Sequence, residues 1–211
     1  MLQRVLLSLV IGALAAGAAL VFDAAGATAL SLELLRQART NDSPVVARRL
    51  LDRADAALTQ TWSKATLWHA GAAEARSAIL ATRAELEEND RELFQASRDE
   101  AVRAAGLSPI QPNARIRLAA LDEAGLPNPL CDRRACLERA FEEAPVMEFE
   151  SACVRLELAH RAGALRAQDS RFLSFIKTAP SERRALSCLA RFLPADESFA
   201  LVLSTRRARE N

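Results

Sequence analysis

Apolar residues return every three or four positions through most of this chain, with polar and charged residues between them. In the segment 45–59 this spacing gathers one set of side chains on one helix face: Val46, Leu50, Ala54, Ala57 and Leu58. The preceding Ser43-Pro44 pair is typical of a helix start, because proline is favoured at the first helical position. The pattern therefore predicts a helix over 45–59.

The same spacing, interrupted by Gly, Pro, Asn and Asp, predicts further helices along the chain. We place them at about 62–87, 91–105, 113–124, 132–143, 148–163, 165–178, 181–192 and 196–208. Short helices with short connections favour packing of each helix on its neighbours in sequence.

The N-terminal pattern is different, because Arg4 is followed by an uncharged stretch from Val5 to Phe22 that ends at Asp23. As a helix, these 18 residues would extend about 27 Å, close to the thickness of the hydrocarbon core. The positive charge lies before the stretch, so we expect the N-terminus to stay in the cytoplasm and the rest to be exported. Residues 1–29 are thus predicted to be a signal anchor or a signal peptide.

These two alternatives differ in what becomes of the segment. A signal peptide would be cleaved after small residues such as Ala27-Thr28-Ala29, which would leave a soluble periplasmic protein. An uncleaved anchor would cross the bacterial inner membrane once, through residues 5–22, with the C-terminal domain in the periplasm. The length of the stretch favours the anchor, whereas its Ala and Gly content favours cleavage.

Composition indicates an all-α fold for the rest. Alanine makes up about a fifth of the chain, there is no Tyr, and strong helix formers outnumber the residues that strands require. The formal net charge of +1 gives no electrostatic reason to expect nucleic acid as a partner.

Three prolines recur at a regular interval. Pro109 and Pro145 are 36 residues apart, and Pro145 and Pro180 are 35 apart. A helix–turn–helix unit of about 34 residues is the tetratricopeptide (TPR) spacing. We therefore predict a TPR-like helical-repeat domain, an α-solenoid, over residues 30–211; a helical bundle without repeats is the alternative.

The four cysteines all lie in the part predicted to be exported, where disulfides can form. If 132–143 and 148–163 form an antiparallel hairpin, Cys136 and Cys153 are about equally far from its turn. This predicts a Cys136–Cys153 disulfide and leaves Cys131 to pair with Cys188. Free buried thiols are an alternative, and a zinc site is a weaker one because no Cys-x2-Cys pair is present.

We find no nucleotide-binding loop, nucleophile elbow or His-Glu-x-x-His motif in the sequence. We therefore expect no enzymatic activity, no cofactor and no metal. Aromatic and basic side chains are the better candidates for ligand contacts, with core packing as the alternative role of the aromatic ones. The binding residues we predict are Trp62, Trp68, His69 and Arg115.

Residues 107–119 read Leu-Ser-Pro-Ile-Gln-Pro-Asn-Ala-Arg-Ile-Arg-Leu-Ala. This segment resembles a connector in small inner-membrane-anchored, TPR-like proteins associated with bacterial exopolysaccharide and O-antigen biosynthesis (VpsP-type). The later run from Pro145 to Arg161, with Arg155, Leu156, Leu158 and Ala159, is similar to the following repeat of that family.

The resemblance implies a non-enzymatic accessory role in making or exporting a cell-surface polysaccharide. We therefore expect a periplasm-facing adaptor that binds protein partners of an envelope polysaccharide assembly complex through the groove of its helical repeats. The alternatives are an envelope enzyme acting on glycans and a purely structural envelope protein.

Overall fold

The computed structural model describes residues 2–61, 64–108, 110–144, 149–165 and 169–210, of which 2–8, 150 and 206–210 are described in their backbone only. Within these ranges the chain is helical without any strand, which confirms the predicted all-α fold. The helices are α1 (Leu2–Arg39), α2 (Pro44–Thr59), α3 (Ala70–Leu86), α4 (Arg91–Leu107), α5 (Pro112–Glu123), α6 (Arg133–Glu143), α7 (Phe149–Arg161), α8 (Ser170–Thr178), α9 (Glu182–Leu189) and α10 (Ala195–Glu210).

The chain divides into two compact units, Met1–Pro109 and Ile110–Asn211. The first holds α1–α4 and the second holds α5–α10. The boundary predicted at residue 29 falls inside α1, and the domain predicted over 30–211 extends across both units. The helical-repeat arrangement of these helices stays a prediction.

Two predicted helices begin later than expected: α8 begins at Ser170 instead of residue 165, and α3 begins at Ala70 instead of residue 62. Between Lys64 and His69 the structure has a 3-10 turn at Ala65–Leu67 where the prediction has helix; Trp62 and Ser63 lie outside the described residues. The hydroxyl of Thr61 accepts a hydrogen bond from the Ala65 amide at 3.0 Å, which closes the turn. His69 then caps α3, because its Nδ1 accepts from the Ala72 amide at 3.1 Å. Such local side-chain bonds compete with a continuous helix.

Alanine dominates the core of the first unit. The fully buried positions there include Ala47, Ala54 and Ala72, and the larger side chains packed with them are Leu34, Leu35, Leu51, Leu58 and Ile79. Small side chains let helix backbones approach closely, which brings two serine hydroxyls within hydrogen-bond distance of the neighbouring backbone. Ser77 on α3 and Ser97 on α4 each donate to the other's backbone carbonyl at 2.8 Å.

Arg76 ties three helices of the first unit together. From α3 its Nε donates to Asp55 on α2 at 3.0 Å, and its Nη1 donates to Glu100 on α4 at 2.9 Å. The side chain of Glu100 is only 6% exposed, so this pair lies in a medium that screens charge less than water does.

In the second unit, α7 is the central helix, in contact with α5, α6, α8 and α9. Its core contains larger side chains than that of the first unit, with Leu137, Leu156, Phe172 and Leu189 fully buried. Arg115 on α5 pairs with Glu143 at the end of α6, and both side chains are mostly buried. This pair joins the start of α5 to the end of α6.

Two disulfides are present in the second unit, and they correct the predicted pairing. Cys131 bonds to Cys136, with 5.4 Å between their Cα atoms, and Cys153 bonds to Cys188, with 5.9 Å. The prediction treated α6 and α7 as an isolated hairpin. In the structure Cys131 immediately precedes Asp132, the N-cap of α6, and Cys136 lies in the first turn of that helix, so the two cysteines are close together. Cys153 on α7 instead meets Cys188 on α9.

The two bonds should differ in their contribution to stability. Replacing both Cys153 and Cys188 by alanine opens a link between residues 35 apart, and we expect a loss of about 4 kcal/mol from the chain-entropy relation. Replacing Cys131 and Cys136, only 5 apart, should cost about 2 kcal/mol. Urea denaturation of the oxidised full-length protein measures both losses. Non-reducing peptide mapping that returned Cys136–Cys153 would contradict the pairing itself.

Candidate functional site

A pocket of about 400 Å³ lies within the second unit, between α6, α7 and α8. This volume is in the range of sites that hold small ligands. The apolar part of its wall comes from Phe141 on α6, Ala152 and Leu156 on α7, and Phe175 on α8. All three helices contribute charged or hydroxyl side chains as well.

Arg155 is the buried charge of this pocket, with 3% of the residue exposed. It lies on the face of α7 that also carries the buried Ala152 and Ala159, three residues before and four after it. Its Nη1 donates to the Ala140 carbonyl at 2.9 Å and to the Ala144 carbonyl at 2.5 Å. The Ala140 carbonyl also accepts from the Ala144 amide at 3.2 Å, whereas the Ala144 carbonyl lies past the last turn of α6, where the helix offers it no amide. The guanidinium thus completes the end of α6 and is held in place by it.

One nitrogen of the Arg155 guanidinium has no hydrogen bond from the residues that the structure describes. Its Nε is buried without a hydrogen-bond partner there, and no described carboxylate pairs with the group. Its Cζ lies 4.1 Å from the centre of the Phe141 ring, a cation–π contact. A buried charge with an aromatic face but no counter-ion is costly, and an anion in the pocket would offset that cost.

Arg171 on α8 lies over the same ring, with its Cζ 4.8 Å from the ring centre. It forms a two-pronged pair with Asp169, the cap of α8, at 2.8 and 2.6 Å. Hydrogen bonding to Arg171 lowers the pKa of Asp169, and the same bond raises the pKa of Arg171. Burial lowers the pKa of Arg155 to about 10, and the charge of Arg171 adds to that effect. Both arginines therefore remain charged near neutral pH.

The rim of the pocket is polar. Ser170, Ser174 and Thr178 follow one another at intervals of four along α8, so their hydroxyls share one face of that helix. Glu138 and Glu142 lie on the α6 side and are exposed. Glu138 accepts from Arg134 at 2.9 Å, which offsets its charge at the surface.

The residues predicted to bind a ligand lie elsewhere. Trp62 is outside the described residues. Trp68 and His69 belong to the first unit, where their rings meet edge to face at 5.7 Å and His69 caps α3. Arg115 is engaged with Glu143, whose other carboxylate oxygen accepts from the Gln111 amide at 3.2 Å. A ligand role for these residues stays a prediction.

Sequence reasoning missed Arg155 and Arg171 as site residues. The sequence analysis named Arg155 only as part of the run that resembles the VpsP-type family, not as a ligand-binding residue. A signal for it was present: it stands between Ala152 and Ala159 on the apolar face of its helix, where a charged residue is unexpected. Arg171 offered no comparable signal, because its role depends on how α8 packs beside α6.

Within the part of the chain that the structure describes, no group of three or more His, Cys, Asp and Glu side chains is arranged to hold a metal ion. The pocket combines two arginines, an apolar wall and a row of hydroxyls, an arrangement that can hold an anionic ligand.

Comparison with known proteins gave no match to a family model, a curated protein or a solved structure. The resemblance of residues 107–119 to the VpsP-type proteins therefore stays a prediction.

The buried pair of Arg115 and Glu143 gives a test of whether Arg115 is structural. Arg115→Met should destabilise the second unit by about 3 kcal/mol, because it leaves the Glu143 carboxylate buried without its partner. Arg134→Met is the matched control, since the Arg134–Glu138 pair is exposed and should be worth less than about 1 kcal/mol. Urea denaturation followed by circular dichroism measures both. Equally small losses of unfolding free energy in both variants would show that Arg115 is not needed for folding. Arg115 would then again be a candidate for ligand binding.

Proposed function

We propose that this protein is a non-enzymatic adaptor, anchored by α1 in the bacterial inner membrane, whose periplasmic body serves the biosynthesis or export of a cell-surface polysaccharide. The observation that carries the proposal is the continuity of α1. One helix contains both an exposed apolar segment and a segment that belongs to the core of the first unit.

The apolar segment of α1 is long enough to cross a membrane, and only 6% of its most apolar window is buried. Large side chains such as Leu9, Leu14 and Phe22 are between 66% and 77% exposed. A core helix of a soluble protein would bury such residues, so α1 is a candidate membrane span or signal sequence.

Beyond Asp23 the same helix packs into the first unit. Ala24 is fully buried, Ala27 packs against the core, and the hydroxyl of Ser31 donates to the Ala54 carbonyl at 2.8 Å. Ala24 and Ala27 precede the last residue of the predicted cleavage site, Ala29, so cleavage there would remove part of the packed core. This supports an anchor that is retained over a signal peptide that is removed.

The two disulfides indicate an oxidising compartment outside the cytoplasm. Together with the orientation expected from Arg4, they support a periplasmic body. The α6–α8 pocket supports binding over catalysis. Its buried charges are arginines, which stay protonated and so are poorly suited to proton transfer near neutral pH. The polysaccharide context of the proposal comes from the resemblance of residues 107–119.

Anchoring is tested by the mass and the fractionation of the protein. We expect the full-length mass in membranes that have been washed with carbonate. A double variant Leu14→Arg/Ala18→Arg should leave the membrane, because each arginine at the centre of a span costs about 3 kcal/mol. Val45→Arg is the control, since Val45 is equally apolar and exposed but lies on α2. A soluble product that begins near Leu30 would contradict the anchor.

The adaptor role is tested by crosslinking in native membranes, followed by purification of the full-length protein and mass spectrometry. We expect components of polysaccharide polymerisation or export to be enriched over a single-pass membrane protein that carries the same tag. If those components are absent while the protein remains in the membrane, the adaptor role is contradicted and the anchor is not.

A further inference from the structure

We infer that the α6–α8 pocket binds an acidic sugar, with the sugar carboxylate paired to Arg155 and Arg171 beside Phe141. This deepens the proposed function and rests on it for the compartment in which such a sugar would be met. Nothing in the comparisons assigns a ligand to this pocket.

The charge balance of the pocket favours a single negative charge. Arg171 is already paired with Asp169 through two short hydrogen bonds, whereas Arg155 makes its hydrogen bonds only to two neutral carbonyls. Glu138 and Glu142 are exposed at the rim, and of the two pocket arginines it is Arg171 whose pKa the charge of Glu138 raises. Among the described residues one cation, Arg155, therefore has no carboxylate partner, and a ligand carboxylate has the charge to match it.

The geometry of the two arginines also fits a planar anion. Both guanidinium groups contact the same aromatic ring, with their Cζ atoms 4.1 and 4.8 Å from its centre, and the charge of Arg171 lowers the pKa of Arg155. A carboxylate in reach of both groups would offset their two charges and accept hydrogen bonds from each. The fixed position of Arg155, bonded to the end of α6, means that little side-chain entropy would be lost on binding.

The rest of the wall indicates what the carboxylate is attached to. The hydroxyls of Ser170, Ser174 and Thr178 form a row on α8 that can exchange hydrogen bonds with ligand hydroxyls. The apolar wall of the pocket is suited to contact the C–H face of a sugar ring. A hydroxylated ring that carries one carboxylate matches all three features, and the volume of about 400 Å³ admits it.

Other anions match less well. A phosphate group near neutral pH carries more negative charge than the single uncompensated arginine would balance. The C-terminal carboxylate of a peptide would satisfy Arg155 but would leave the Ser170 and Ser174 hydroxyls without a ligand partner; the Thr178 hydroxyl already donates to backbone carbonyls of α8. Both serve as arms of the test.

The test measures binding to the purified full-length protein in detergent by calorimetry. The probe is a trimer of galacturonic acid, and the matched control is its methyl ester, which keeps the sugar skeleton and removes the charges. We expect the acid to bind at least 10-fold more tightly than the ester. Inorganic phosphate, glucose 6-phosphate and a tripeptide with a free C-terminus should each bind more weakly than the acid.

Variants place the binding in this pocket. Arg171→Gln and Arg155→Lys should each weaken binding of the acid at least 10-fold, and Ser174→Ala should weaken it severalfold. Arg155→Lys keeps a donor for the carbonyls of α6, so folding is preserved where a neutral residue would risk it. Arg139→Gln is the matched control: Arg139 is an exposed arginine on α6 that does not line the pocket. It should leave binding unchanged, and the thermal melting curves of all variants should overlay the wild type.

The inference is overturned if the acid and its ester bind equally, if Arg171→Gln binds as the wild type does, or if phosphate or the peptide binds more tightly than the acid. The purified protein meets these probes without any partner. A failure here therefore leaves the crosslinking result standing, and a failure of the crosslinking experiment leaves this binding measurement unaffected.

Discussion

The first unit is held together by the close approach of helices whose buried faces are mostly alanine. Alanine fills little space, so a stable core requires the backbones themselves to come near each other. The reciprocal serine hydrogen bonds between α3 and α4 are a consequence of that closeness, because a serine hydroxyl reaches a neighbouring backbone carbonyl only across a narrow gap. Arg76 then connects α2, α3 and α4 through carboxylates at the edge of the core.

The same constraint explains the behaviour of α1. Its C-terminal part is rich in small residues on the side that packs against α2 and α3, and Ala24 and Ala38 are buried there. Its N-terminal part has no such partner in the first unit and exposes leucine, valine and phenylalanine. Since the helix is continuous, a membrane around the exposed part would hold the first unit directly, without a flexible linker.

The core of the second unit is stabilised in a different way from that of the first. It buries larger side chains around α7 and adds covalent links, one of them between α7 and α9. Arg155 departs from this pattern, because it is a charge on the buried face of the central helix. Two of its hydrogen bonds complete the end of α6, and the remainder faces a pocket with an aromatic ring and a second arginine. A buried guanidinium that bonds to the end of one helix through Nη1 and has no hydrogen bond at Nε is more typical of a binding site than of a core.

Local signals in the sequence were sufficient for the helices. The starts of α2 and α5 follow from a proline at the first helical position, and those of α4 and α6 follow from the capping carboxylates of Asp90 and Asp132; each acts within one turn of the chain. The apolar N-terminal segment was also predictable from the sequence, because its length and the positions of the flanking charges identify it. The late start of α3 was missed because His69 acts as a cap, a role that histidine seldom has.

The sequence by itself thus determined the all-α class, most helix ends and the apolar N-terminal segment, because each depends on residues close together in the chain. Only the tertiary structure decided which cysteines pair and which charge has no counter-ion among the described residues. Cys153 meets Cys188 because α7 packs on α9, and Arg155 meets Arg171 at Phe141 because α6, α7 and α8 converge. Those contacts join residues distant in sequence, and periodicity along one helix carries no information about which other helix it will face.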